Sequence, residues 1–179
     1  LAAMSSILNY FYSIETDQEK LQKILIKIEG GNEKIDLLKK KIDEQKGLTM
    51  LDMKKILDKK NIVGKGFKGD YKELQNFMKD FYAPVIIHEK VDYYGEKEVG
   101  HFSLILGFFE NRVLILDPAY GNVSYKKEEF LNRWTGKIFI IYPPEENYKE
   151  IIAKSENRLN KKTKRCIKKL RRLKLYEKL

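Results

Sequence analysis

Cysteine is nearly absent from this chain. A single Cys166 in 179 residues excludes an intrachain disulfide framework and leaves the redox compartment open. No apolar run approaches the length that spans a bilayer. No basic stretch followed by an apolar core stands at the front, so no signal peptide is visible, and the first residue is Leu1 rather than Met. Prolines number four, and Pro143-Pro144 closes the last strand-like run. Histidine is scarcer still, with His88 and His101 alone. His88 sits inside an apolar strand without a second ligand at metal spacing and reads as a satisfied structural imidazole. No metal or cofactor is called for.

What is present is ordinary globular material, 42% hydrophobic and 12% aromatic, enough for one domain with a real core. The net charge of +10 is localised. From Lys154 to Leu179 there are 12 basic and 2 acidic residues, so the preceding part carries 24 of each sign. A nearly neutral body from 1 to 144 is followed by a basic tail from 145 to 179. In that tail Leu159, Cys166 and Leu173 recur seven apart with Ile167 and Leu170 between, the pattern of a basic amphipathic helix. Its partners by charge are a membrane exporter or an anionic membrane surface. Nucleic acid is disfavoured because no aromatic or base-reading residues are interleaved, and a solvated terminus is the plain alternative.

The organising stretch is Gly100 to Gly121, GHFSLILGFFENRVLILDPAYG. Two runs rich in β-branched, leucine and aromatic residues flank Glu110-Asn111-Arg112, which predicts a hairpin with a three-residue turn. His101 stands at the mouth of the first strand. Asp117 ends the second, just before Pro118. An odd turn length puts both on one face. On a plain ladder Phe109 pairs with Val113 and Asp117 falls opposite Ile105, roughly 13 Å along the strand from His101. Contact requires a bulge, near Gly107, or strong sheet twist.

Around this hairpin the periodicity predicts helices over Leu1–Tyr12 (Ala3, Ile7, Leu8, Phe11), after a Thr16/Glu19 capping box (Leu21, Ile24, Leu25, Ile28) up to Gly30-Gly31, and over Asn32–Lys46. Further helices follow Thr49 with Asp52 as its acidic partner, with Leu51, Ile56 and Leu57 inward, and follow Asp70, with Leu74, Phe77, Met78 and Phe81 inward. Strands are expected near Ile62–Gly69, at Val85–His88, at Gly121–Tyr125 and at Ile138–Tyr142. Tyr93–Glu98 reads as a polar turn. Lys126–Trp134 reads as a helical turn with Phe130, Leu131 and Trp134 inward. Helices first and antiparallel strands afterwards is the α+β pattern.

Taken in order, LAAMSSILNYF, GLTMLDMKKIL, APVIIHE, GHFSLILGF, VLILDPAYG and FLNRWTGKIFII resemble the bacteriocin-processing peptidases. These papain-like enzymes cut peptide precursors after a double-glycine leader and often form the N-terminal domain of peptide-exporting ABC transporters. The resemblance covers about Leu1 to Pro144. It implies N-terminal helices packed on an antiparallel sheet, His101 as catalytic base, and Asp117 as the residue orienting it. It also implies a substrate carrying a leader sequence.

The chain departs from the family pattern at its front. The nucleophilic Cys of the family lies two residues before the position matching Leu1, and the oxyanion-stabilising Gln lies further upstream. Cys166 follows His101 in the chain, whereas papain-like order puts the nucleophile first; the expectation is that Cys166 is not the nucleophile. Three functions compete: a cysteine peptidase completed by residues before Leu1; an inactive peptidase-like domain that holds leader or export substrates; and a basic adaptor working through its tail. Location is expected to be cytoplasmic or membrane-associated, or periplasmic if a signal peptide precedes Leu1.

Overall fold

Capping decides where the helices begin in the computed structural model, which describes residues 1–29, 48–81, 84–93, 96–144 and 148–172. Helix α1, Ala2–Ser6, starts at Leu1 without a side-chain cap and passes directly into a π-helical run, Ile7–Phe11. Met4, Ile7, Leu8 and Phe11 are buried along it. Helix α2, Gln18–Glu29, opens one residue later than the sequence suggests. Asp17, rather than Thr16, accepts the first-turn N–H, from Lys20 at 2.7 Å, while the Thr16 hydroxyl is buried without such a bond. A carboxylate at this position is the stronger acceptor for an N–H at the positive helix end. The expected stop at Gly30-Gly31 and the expected helix Asn32–Lys46 lie outside the described residues.

The other two caps are as the sequence suggests. Thr49 accepts from Asp52 N while Asp52 accepts from Thr49 N, opening α3, Met50–Lys59. Asp70 and Glu73 make the same reciprocal pair ahead of α4, Tyr71–Phe81. In α3 the buried residues are Met53, Ile56 and Leu57; Leu51 points outward, 61% exposed. It occupies the first turn, on the side that meets open space rather than the sheet.

The strands are β1 (Gly64–Lys68), β2 (Val85–Tyr93), β3 (Glu96–Phe109), β4 (Arg112–Asp117), β5 (Gly121–Lys126) and β6 (Trp134–Ile141). They form one antiparallel sheet in the order β1-β6-β2-β3-β4-β5. β2 and β3 are longer than the residue pattern suggests, and most of the presumed turn Tyr93–Glu98 belongs to them. Helix α5, Lys127–Arg133, buries Phe130 and leaves Leu131 exposed; Trp134 already belongs to β6.

The β3–β4 hairpin departs from expectation twice, and the two departures offset each other. Its turn has two residues, because Phe109 pairs with Arg112 and Glu110 takes a left-handed φ of 51°. That change alone would carry Asp117 to the face opposite His101, since side chains alternate along a strand. A bulge between Ile105 and Gly107 then inserts Leu106 without a partner and restores the common face. Asp117 now extends the ladder to Ser103, two residues closer to His101 than a plain three-residue turn would leave it. The bulge at this point is the one that contact required.

The last helix, α6 (Tyr148–Arg172), is seated on the body at three points. The Ser155 hydroxyl donates to Phe11 O at 3.1 Å, Arg158 donates to Tyr10 O, and the Thr163 hydroxyl donates to Leu106 O at 2.8 Å. Leu159 is buried between them. The bulged residue thus finds in α6 a partner for its carbonyl. A lost bond of this kind costs about 1 kcal/mol, and more if the carbonyl is left buried and bare.

Candidate active site

Strand β4 ends where its final carboxylate is consumed by the turn that follows. Asp117 Oδ1 accepts from Ala119 N at 2.7 Å and from Tyr120 N at 3.1 Å, a local capping of the kind Asp favours before a turn. The other oxygen, Oδ2, is thereby aimed back along the sheet. It lies 3.1 Å from His101 Nε2 and 3.4 Å from the Ser103 hydroxyl. Asp117 is 2% exposed. Burial works to raise its carboxyl, but the hydrogen bond from His101 and the backbone N–H of Ala119 outweigh that and hold it below the ordinary value.

His101 is half-buried and fronts a cleft of about 640 Å³. Leu1 and Ala2, at the tip of α1, line the same cleft, as does Pro118; Met50 and Leu51 form its apolar wall, and Gln18 and Gln22 supply amides. The outward Leu51 is thus cleft lining. Asp117 is absent from the lining and stands behind the imidazole. The structure therefore brings together the two site residues read from the sequence and sets them beside the N-terminus of the first helix. Cys166 falls on α6, three residues past Thr163; its side chain lies outside the described residues.

His88 also lines this cleft, although its sequence context marks it as structural. Its hydrogen bonding is structural in kind. Thr135 donates its hydroxyl to His88 O at 2.9 Å, and the same oxygen lies 3.0 Å from His88 Nδ1. A hydroxyl whose proton is already committed accepts, so Nδ1 carries the hydrogen. Burial lowers the proton affinity of His88, assisted by Lys137 and His101. Gly100, across the ladder, is where His88 fits: a Cβ there would sit 2.8 Å from Nε2.

One further polar residue stands behind the base. Glu89 is fully buried and pairs across the ladder with His101. The Arg133 Nε lies 3.3 Å from its Oε2, and the Arg133 guanidinium stacks 4.2 Å from the Tyr125 ring centroid. Burial raises the Glu89 carboxyl, moderated by the Ser103 hydroxyl, Arg133 and His101. A signal for Glu89 did exist: it occupies the same strand phase as Ile87 and Val91, both buried, where a charge is out of place unless paired. Among the described residues no group of three or more His, Cys, Asp or Glu is placed to hold a metal ion, and no helix is long and apolar enough to cross a membrane.

Chemically, a carboxylate against one imidazole nitrogen favours the protonated ring and fixes its orientation, which equips His101 to take a proton from a group in the cleft. Comparisons with known proteins bear on what that group is. A sequence profile of the Peptidase C39 family matches residues 30–146. The probable functional amyloid protease FapD of Pseudomonas fluorescens is 28% identical over 140 residues, covering 78% of this chain and 54% of that protein. The chain thus spans about half the length of this curated relative. The crystal structure of the peptidase domain of Streptococcus ComA, a bi-functional ABC transporter involved in a quorum-sensing pathway, aligns with a TM-score of 0.55. Its identity is 20%, over 79% of this chain and 88% of that one.

Proposed function

We propose, from the premise that the chain belongs to the peptidase C39 family and has the papain-like α+β fold of C39 peptidase domains, that it is a cysteine peptidase acting on double-glycine leader peptides. The observation that supports this best is the 3.1 Å approach of Asp117 Oδ2 to His101 Nε2 in a cleft shared with Leu1. With Nε2 against the carboxylate, proton exchange is assigned to Nδ1. His101 takes the proton of a cysteine thiol; the thiolate attacks the carbonyl carbon of the second glycine. The peptide C–N bond breaks as the imidazolium returns its proton to the leaving amine. Water then hydrolyses the thioester, with His101 again as base. Asp117 supports the imidazolium at both stages.

In this proposal the thiol is supplied two residues before Leu1 and the oxyanion-stabilising Gln further upstream, at the end of α1 that lines the cleft with His101. The test compares this 179-residue chain with one extended upstream by its native residues, on a synthetic peptide carrying a double-glycine leader. Cleavage by the extended form alone, blocked by iodoacetamide, is the expected result. Turnover by the short chain would overturn the account of the nucleophile. Binding without cleavage by the extended form would favour a domain that only holds its leader peptide.

The charge of α6 adds a partner. Lys161, Lys164, Arg165 and Lys168 are exposed on its outward side, within two helical turns, while Ser155, Leu159 and Thr163 hold the inward side. We infer that this face meets an anionic membrane surface. Each cation near such a surface contributes about 1 kcal/mol. Sedimentation with phosphatidylserine vesicles at low salt should retain the chain, and the quadruple Glu replacement of these four residues should weaken retention at least tenfold. Equal retention on neutral phosphatidylcholine would refute the assignment.

A further inference from the structure

We propose that Glu89 is a positioning residue for His101, serving with Arg133 and Ser103 as a second, hidden carboxylate behind the base. This rests on the assignment of His101 as the base, and its test is independent of turnover.

Four facts of geometry carry it. Glu89 lies directly across the β2–β3 ladder from His101, and side chains so placed have Cβ atoms about 5 Å apart. It is inaccessible to solvent, where a carboxylate is tolerated only if other groups answer it. Arg133 answers at 3.3 Å from the far end of α5. The Ser103 hydroxyl, two residues along β3 from His101, donates to Asp117 Oδ2 at 3.4 Å and stands on the same face of the sheet as Glu89. The result is a row of facing polar groups, Arg133, Glu89, His101 and Asp117, with the Ser103 hydroxyl against Asp117.

A simple structural ion pair does not require that arrangement. An Arg–Glu pair stabilising only the sheet is served as well by a site remote from the imidazole, and buried pairs are weak stabilisers compared with apolar residues of like volume. Placed here, the pair presents His101 with its negative end, while Arg133 directs its cation toward Tyr125 of β5. The charged and titratable groups facing the imidazole are then Glu89 from β2, Asp117 from β4, Arg133 from the end of α5, and His88 and Lys137 around the cleft. Two of them are carboxyl groups inaccessible to solvent. Both favour the imidazolium that forms when the thiol proton is taken.

The chain contains only two histidines, so its imidazole NMR spectrum holds two ring signals, assigned by His88→Gln. Glu89→Gln keeps the shape and removes the charge. The expected result is a fall of at least about half a pH unit in the midpoint of the His101 signal relative to the parent chain, with the His88 signal moving less. Glu89→Gln/Arg133→Gln, which removes the pair as a unit, should recover part of that fall, and it provides the reading if the single variant does not fold. A folded Glu89→Gln chain whose His101 midpoint matches the parent would overturn the proposal, as would a double variant with a larger shift than the single one. Failure of peptidase activity in the extended chain leaves these signals unaffected, so the two proposals fail separately.

Discussion

The two imidazoles of this protein stand on neighbouring strands and line one cleft, yet they are held in opposite ways. His101 meets a buried carboxylate at 3.1 Å, with a second carboxylate across the ladder. His88 meets a hydroxyl at 3.0 Å, with a lysine among the groups that lower its proton affinity. The first setting orients the ring against a carboxylate, and the second holds a neutral ring with a fixed tautomer. Proximity to a cleft therefore does not distinguish a base from a wall; the partner behind the ring does.

The comparison is broken most directly by removing the base. His101→Ala in the upstream-extended chain should reduce cleavage of a double-glycine leader peptide on the order of 10³-fold, measured as kcat/KM. Asp117→Asn should cost about 10²-fold or more by the same measurement. It should also alter acid unfolding. Because the Asp117 carboxyl is held low in the folded chain, it contributes stability above the ordinary carboxylate value that is lost as pH falls through the folded value. The variant should lack that part of the acid-side slope in a series of urea titrations.

Smaller effects separate the two rings further. Gly100→Ala drives a methyl toward His88 Nε2 and should destabilise by about 1–3 kcal/mol, read as a drop in Tm. Thr163→Val withdraws the hydroxyl bound to the bulged Leu106 carbonyl and should cost about 1 kcal/mol. It should loosen the His101 side, lowering kcat/KM while leaving the His88 NMR signal in place. A His88→Gln chain that lost cleavage as completely as His101→Ala would remove the distinction between the two rings.

Much of this was legible in the residues. Asp70 and Thr49 with their acidic partners mark helix starts, and the apolar, β-branched runs around Ile87 and Ile105 mark strands. His101 and Asp117 could be assigned to one face, and their contact could be made conditional on a bulge near Gly107. The turn length was not legible, because Glu110 adopts its left-handed conformation without the glycine or asparagine that usually advertises it. Thr16 and Asp17 are both good caps, and only the folded chain shows which is used. Leu51 and Leu131 look inward by periodicity, yet each lies on a short first turn or short helix where the apolar stripe is ill-defined. Glu89 is hard to read because it follows His88 at the end of an apolar run, where the buried phase of Ile87 and Val91 shows only once the strand is known to extend to Tyr93.

The unpaired Leu106 carries one more consequence, for how this hairpin can change its length over generations. A single insertion or deletion within either paired strand between His101 and Asp117 rotates the acid to the wrong side, whereas one in the Glu110-Asn111 turn lengthens the loop and leaves the pairing as it is. Sister sequences that retain both residues should therefore concentrate their length changes in the turn.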